Sequence, residues 1–89
     1  MNIGKTLELS TAHLAYATSL AMDHGEHCLA RTGYGYLVFA DPWDVAHEEV
    51  SPIPKDLIAC MKLALDHNCT YILFDSDEPI IEELPTYDW

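Results

Sequence analysis

Basic residues are scarce in this chain, which has four Lys and Arg against fifteen Asp and Glu, and none of the four follows Lys62. The formal net charge is −11 at pH 7. Affinity for a nucleic-acid backbone comes from Lys and Arg that displace counterions, so we expect no direct binding to nucleic acid. An acidic surface either fits a basic protein partner or serves solubility alone.

Long apolar runs are also missing. No stretch approaches the roughly 20 residues that a membrane span needs, and the first residues lack the basic-then-apolar layout of a signal peptide. Cysteine is limited to an odd number, Cys28, Cys60 and Cys69, without motif spacing. We therefore expect a reduced, cytoplasmic protein without membrane contact, whose thiols pack as small buried hydrophobes.

The 89 residues are enough for one domain, 1–89, with one modest core, since a chain this short buries only about 60–65% of its unfolded surface. Hydrophobic residues make up 49% and charged residues 21%, which is typical of a globular protein. A small sheet with an apolar edge needs cover, and a homodimer would supply it.

The most strand-like stretch is 32–40, in which two glycines lead into a run of aromatic and β-branched residues. We predict a central strand over 36–40, and we expect Gly33 and Gly35 to allow the turn or bulge that directs the chain into it. Residues 26–31 form either a separate short strand of a hairpin or one end of a single bulged strand over 28–40. Asp41-Pro42 ends the strand, because proline has no N–H for the ladder.

Periodicity places the other elements. A half-buried strand is predicted over 5–11, and a helix over about 14–24, with an uncertain start and Gly25 as its C′ residue. Its apolar stripe would be Leu14, Ala17, Thr18, Leu20 and Ala21.

The second half is patterned more clearly. Residues 43–51 read as a loop with one helical turn near 44–47, and a helix is predicted over 55–67, with Asn68 as a left-handed cap. A buried strand follows over 70–75. Residues 76–89 form an acidic tail whose apolar residues indicate that it docks on the domain.

The order β-α-β(-β)-α-β predicts an α+β two-layer sandwich, in which two helices cover one face of a small, mainly antiparallel or mixed sheet.

Two groups of residues are weak candidates for chemistry. His24, His27 and Cys28 are metal-ligand types, but the second half of a zinc site is missing, so we expect no metal and no cofactor. His13 and Asp75 fall at predicted strand ends, where an imidazole and a carboxylate could exchange protons. No nucleophile motif accompanies them, so we expect a protein that is not an enzyme.

Candidate binding residues are aromatic or acidic. Tyrosine and tryptophan are favoured at protein interfaces, whereas aromatic platforms for nucleic acid come with the basic grooves that this chain lacks. The set is Tyr34, Tyr36, Trp43, Asp75, Asp77, Glu78, Glu82, Glu83, Asp88 and Trp89.

Four motifs occur in order along nearly the whole chain: Ser-Thr-Ala-His (10–13), Thr-Gly-Tyr-Gly-Tyr-Leu (32–37), Tyr-Ile-x-Phe-Asp (71–75) and Thr-Tyr-Asp-Trp (86–89). In these the sequence resembles an uncharacterised family of short proteins from bacterial plasmids, prophages and genomic islands, often found near type IV toxin–antitoxin and anti-restriction genes. The resemblance implies signature positions at His13, Thr32, Gly33, Tyr34, Gly35, Tyr36, Asp75, Asp88 and Trp89.

The leading hypothesis is therefore a non-catalytic acidic interaction module of a mobile element. It would inhibit a host defence nuclease, of the CRISPR or restriction type, by mimicking nucleic acid in a basic groove. One alternative is an accessory or antitoxin-like protein of a toxin–antitoxin cluster. The other is a small hydrolase or ligand-binding protein that uses His13 and Asp75.

Overall fold

The computed structural model describes residues 5–88. Four strands form one sheet: β1 (Thr6–Ser10), β2 (Ala30–Arg31), β3 (Gly35–Phe39) and β4 (Tyr71–Asp75). Their order is β1-β4-β3-β2, with β1 parallel to β4 and the other two pairings antiparallel. The predicted mixed sheet is confirmed, and its most apolar strands, β3 and β4, are the inner ones.

The helices are α1 (Tyr16–Asp23), α2 (Pro42–Ala46) and α3 (Lys55–Asp66), and a short 3-10 helix (Thr11–His13) follows β1 directly. Within the described part of the chain, every helix falls short of the length and apolarity that crossing a bilayer demands.

One face of the sheet carries the core. Burial alternates along β3 and β4, so that Tyr36, Val38, Ile72 and Phe74 are buried while Leu37, Leu73 and Tyr71 on the opposite face are half-buried. Most other buried side chains of the core come from the helices and their flanks: Leu14, Met22, Leu57, Ile58, Cys60, Met61 and Ala64. The tail adds Leu84. This arrangement confirms the α+β two-layer fold.

The connection between β2 and β3 is a hairpin, with Ala30 opposite Leu37 and Arg31 opposite Tyr36. The alternative of a single bulged strand is therefore wrong. β2 is shorter than the predicted stretch 26–31, because His27 has a φ of 61°, which an extended strand does not accommodate.

The predicted stripe of α1 is correct at Leu14 and Thr18, which are buried, and wrong at Ala17 and Leu20. The helix buries Thr18, Ser19 and Met22, whereas Ala17 and Leu20 are exposed. Two hydroxyl groups lie inward because each has a partner there. Thr18 Oγ1 donates to Asp56 Oδ1 (2.8 Å), and Ser19 Oγ is 2.9 Å from the Tyr36 hydroxyl. Buried hydrogen bonds therefore share the inner face of this helix with Met22, which is fully buried in the core.

Local signals in the second half match the structure closely. Asn68 has a φ of 58°, as a left-handed cap requires, and α3 ends one residue before its predicted end. The predicted helical turn near 44–47 is α2, which begins earlier, at Pro42. Asp41 caps it by accepting the Trp43 N–H (2.9 Å).

The three thiols are free. Cys60 and Cys69 are buried and Cys28 is half-buried, as expected of cysteines that pack as apolar residues.

Candidate functional site

An open cleft of about 680 Å³ lies between α1 and the β2–β3 hairpin. Its lining is largely polar and includes Ser19, Asp23, Arg31, Tyr34, Tyr36 and Ser76. Two of the candidate binding residues, Tyr34 and Tyr36, meet here. Ser19, Asp23 and Arg31 were not among the candidate residues. The available signal was that Arg31, the chain's only arginine, directly precedes the Thr-Gly-Tyr-Gly-Tyr motif.

Thr32 builds the turn that forms one wall of the cleft. Its Oγ1 accepts the N–H groups of Tyr34 (3.1 Å) and Gly35 (2.8 Å), and its own N–H donates to the Gly35 carbonyl (2.8 Å). The Ser76 N–H then joins the turn to the end of β4 by donating to the Tyr34 carbonyl (3.0 Å). The Tyr34 ring is left 66% exposed on a turn that is fixed from two sides.

The two glycines of the motif differ in their structural role. A Cβ on Gly35 would lie 1.8 Å from the Phe74 carbonyl oxygen, so that only glycine fits where β3 approaches β4. At Gly33 nothing lies within 4 Å of that position. Of the two glycines predicted to direct the chain into the central strand, only Gly35 has a steric role, because it lets β3 come close to β4.

Tyr36 links the core to the cleft. Its ring is buried, and its hydroxyl donates to Asp23 Oδ1 (2.5 Å) while lying 2.9 Å from Ser19 Oγ. Burial raises the pKa of the Tyr36 hydroxyl, and the hydrogen bond to the Asp23 carboxylate raises it further. Tyr36 therefore stays protonated at neutral pH and fixes the Asp23 side chain, instead of presenting its own ring as a binding surface.

Arg31 contributes the positive charge of the cleft. Its Nη1 donates to the main-chain carbonyl of Asp23 (2.6 Å), where cationic groups complement the end of a helix. Within residues 5–88 the ion pair that forms is Lys62–Glu48 (2.8 Å), and the Arg31 and Asp23 side chains do not form one. Opposite charges thus line the same cleft: Arg31 contacts the main chain of Asp23, and the Asp23 carboxylate contacts Tyr36.

His13 lies elsewhere, under the acidic tail. It is 1% exposed, its Nδ1 donates to the Pro85 carbonyl (2.9 Å), and its Nε2 accepts the Ile81 N–H (3.1 Å). The Tyr87 N–H adds a bond to the Ala12 carbonyl (2.9 Å). These contacts require a neutral imidazole that is protonated on Nδ1. Residues 81–87 are thereby attached to the short 3-10 helix.

Asp75 has a different environment. It lies at the end of β4, between Ser10 of β1 and Gly35 of β3, and its Oδ1 accepts the Asp77 N–H (2.8 Å). No hydrogen bond joins Asp75 to His13, whose two ring nitrogens are both occupied by the tail. His13 and Asp75 therefore do not form a hydrogen-bonded pair in this structure, and the hydrolase hypothesis stays a prediction.

The carboxylates of the tail are presented to solvent. Asp77, Glu82, Glu83 and Asp88 are exposed, and Glu78 is half-buried. Within the described residues none of these acids is paired with Lys or Arg. The tail therefore forms an acidic surface that the residues of the described range 5–88 do not neutralise.

The remaining candidates are spread out. His24 is exposed and His27 half-buried, and burial raises the pKa of the Cys28 thiol, which disfavours the thiolate that a metal would need. Residues 5–88 contain no group of three or more His, Cys, Asp or Glu able to hold a metal ion. Trp43 is 53% exposed and stacks on His47 with ring centroids 4.4 Å apart. Trp89 lies outside the described residues.

This combination of a small mixed sheet, a hairpin cleft and a docked acidic tail is the architecture of a small α+β domain. The chain belongs to a family of unknown function, DUF5983, whose C-terminal domain model matches residues 6–89. The resemblance to an uncharacterised family is thus confirmed, while its genomic setting stays a prediction. No curated protein and no solved structure matches the chain.

Proposed function

We propose that this protein is an acidic interaction module that binds a basic surface of a protein partner through its tail. The observation that carries the proposal is the attachment of the tail: His13 and Ala12 hold Ile81, Pro85 and Tyr87 by three hydrogen bonds. The acidic side chains between and beside these anchor points are therefore presented from an ordered backbone.

An ordered acidic surface has an energetic advantage over a free acidic tail. Ordering a flexible segment on binding costs free energy, and a segment that is already docked avoids much of that cost. The net charge of −11 also attracts a basic partner over long range and raises the association rate at low salt. Both effects favour binding to a cationic groove.

The finer part of the proposal concerns the identity of the partner. Defence nucleases carry basic grooves for nucleic acid, and an array of fixed carboxylates can occupy such a groove in place of phosphates. The resemblance to proteins of mobile elements favours this class of partner. On this proposal the protein acts in the cytoplasm and does not bind nucleic acid itself.

The test is DNA cleavage at 50 mM salt by purified defence nucleases, restriction enzymes and RNA-guided effectors, together with direct binding of the protein to each nuclease at 50 and 500 mM salt. We expect inhibition of at least one nuclease, relieved by excess DNA, and binding to that nuclease that is lost at high salt. Failure to inhibit or bind any of them at low salt would contradict the nuclease proposal.

A further inference from the structure

The cleft between α1 and the β2–β3 hairpin is chemically distinct from the acidic tail. It contains an arginine in a chain with four basic residues, beside an aspartate with which that arginine does not pair. Neither side chain is loose, because Arg31 is held by the Asp23 carbonyl (2.6 Å) and Asp23 by the Tyr36 hydroxyl (2.5 Å). Two opposite charges are thus fixed in one open cavity.

Both charged groups retain unused hydrogen-bonding capacity. A guanidinium has five N–H donors, of which one is used in the described contact to the Asp23 carbonyl. A carboxylate offers about four acceptor positions, and Asp23 uses one for Tyr36. A ligand could therefore pair with each group without breaking the contacts that orient them.

The sign of the charges limits the ligand class. Arg31 would repel a simple cation, and Asp23 together with the net charge of −11 would repel a simple anion. A zwitterion satisfies both groups at once, with its carboxylate on Arg31 and its ammonium on Asp23. The charge-assisted hydrogen bonds to each group are stronger than neutral ones.

The cleft also offers an aromatic contact and enough volume for the side chain of such a zwitterion. The Tyr34 ring is 66% exposed on the turn fixed by Thr32, and it can stack with a second ring in an offset or edge-to-face arrangement. The volume of about 680 Å³ accommodates a molecule of this size. We propose that the cleft binds a free aromatic amino acid, or a small zwitterion of the same chemistry, between Asp23, Arg31 and Tyr34.

The experiment is an NMR titration of the full chain with L-phenylalanine, L-tyrosine and L-tryptophan, followed through the amides of residues 31–36. N-acetyl-L-phenylalanine and L-phenylalaninamide each lack one of the two charges. We expect saturable shifts at the cleft with the amino acids, and binding at least about tenfold weaker with both analogues, as loss of one charge-assisted bond implies.

Matched variants locate the site. Asp23→Asn keeps an acceptor for Tyr36, and Arg31→Gln removes the charge of an exposed side chain. Both variants should therefore fold, and both should bind about tenfold or more weakly. Asp66→Asn and Lys62→Gln make the same charge changes away from the cleft and should bind normally. No shift with any of the three amino acids, equal binding of the analogues, or unchanged binding by the cleft variants would overturn the proposal. None of these outcomes bears on the acidic tail, so the two proposals fail separately.

Discussion

At the scale of single residues, Gly35 occupies a position at which no larger side chain fits. Its missing side chain lets β3 approach the Phe74 carbonyl, where a Cβ would lie at 1.8 Å, against backbone that cannot rotate away. We expect Gly35→Ala to lower the free energy of unfolding by about 3 kcal/mol or more. Urea denaturation measures this.

The matched control is Gly33→Ala, which meets nothing within 4 Å and should change stability by no more than about 0.5 kcal/mol. Equal effects of the two substitutions would contradict the assignment of the close approach to Gly35.

Cys60 gives a pH dependence whose sign can be worked out. Burial, with a smaller contribution from the Asp56 charge, raises the pKa of its thiol from 9.0 to about 12. Between those values the unfolded chain releases the thiol proton and the folded chain keeps it, so this group's contribution to stability is complete below pH 9 and is lost as pH rises. The slope is at most about 1.4 kcal/mol per pH unit.

The measurement is urea denaturation of wild type and Cys60→Ala at pH 8 and pH 10.5. We expect wild type to lose up to about 2 kcal/mol more than the variant over this interval, since other titrating groups contribute to both proteins. Parallel losses would show that the Cys60 thiol is not the group responsible.

At the scale of elements, the sequence predicted best where a local signal decides the outcome. Asn68 and Gly25 have the positive φ values, 58° and 85°, that their cap positions require. The hairpin at 28–40 could not be separated from a bulged strand, because glycines at 33 and 35 suit either a turn or a bulge. The pairing of Ala30 with Leu37 and of Arg31 with Tyr36 decides between them, and the sequence does not show it.

The buried face of α1 shows where sequence periodicity fails to predict which residues are buried. Thr18 was expected in the apolar stripe and is buried, but Ala17 and Leu20 are exposed, and Ser19 is buried instead. The Thr18 and Ser19 hydroxyl groups are buried where they form hydrogen bonds with Asp56 and Tyr36. Asp56 also accepts the Ala15 N–H (2.8 Å) at the start of α1. Both partners come from elsewhere in the chain, so no local pattern indicates them, and the cleft that α1 borders was missed for the same reason.

The tail is attached by the two hydrogen bonds of His13, by the Tyr87 N–H and by the burial of Leu84 in the core. His13→Ala leaves the Pro85 carbonyl and the Ile81 N–H without their partner. We expect a loss of about 1–3 kcal/mol in stability and faster hydrogen exchange at Ile81 and Tyr87, with exchange in β4 affected less.

The control is His67→Ala, because His67 is exposed and lies at the far end of α3. Unchanged exchange at Ile81 in the His13 variant would show that the tail is held by other contacts.

At the scale of the whole molecule, the net charge opposes formation of a homodimer, whereas the apolar side chains on the open face of the sheet favour it. Leu37, Leu73 and Tyr71 are half-buried on that face, and Phe39 is 40% exposed and packs near Tyr71, with centroids 6.1 Å apart. A homodimer formed there must overcome the repulsion of two chains of charge −11, which salt screens. We expect light scattering to show more dimer at 500 than at 50 mM salt.

Phe39→Asp should abolish the dimer, whereas Val50→Asp, at a 74% exposed position off the sheet, should leave it intact. A monomer at all salt concentrations would contradict this prediction. Binding of a basic partner should respond to salt in the opposite direction, so the two kinds of association can be told apart.

The most direct test of the central claim compares three versions of the protein as bait for bacterial proteins at 50 mM salt, with quantitative mass spectrometry. One is wild type, and the second has four exposed tail acids replaced by their amides: Asp77, Glu82, Glu83 and Asp88. The third loses the same number of exposed charges elsewhere: Glu8, Glu26, Glu49 and Asp66. We predict that a basic protein is enriched by wild type and the third version and is lost from the second. Enrichment of the same protein by all three, or of none by wild type, would contradict a binding surface on the tail.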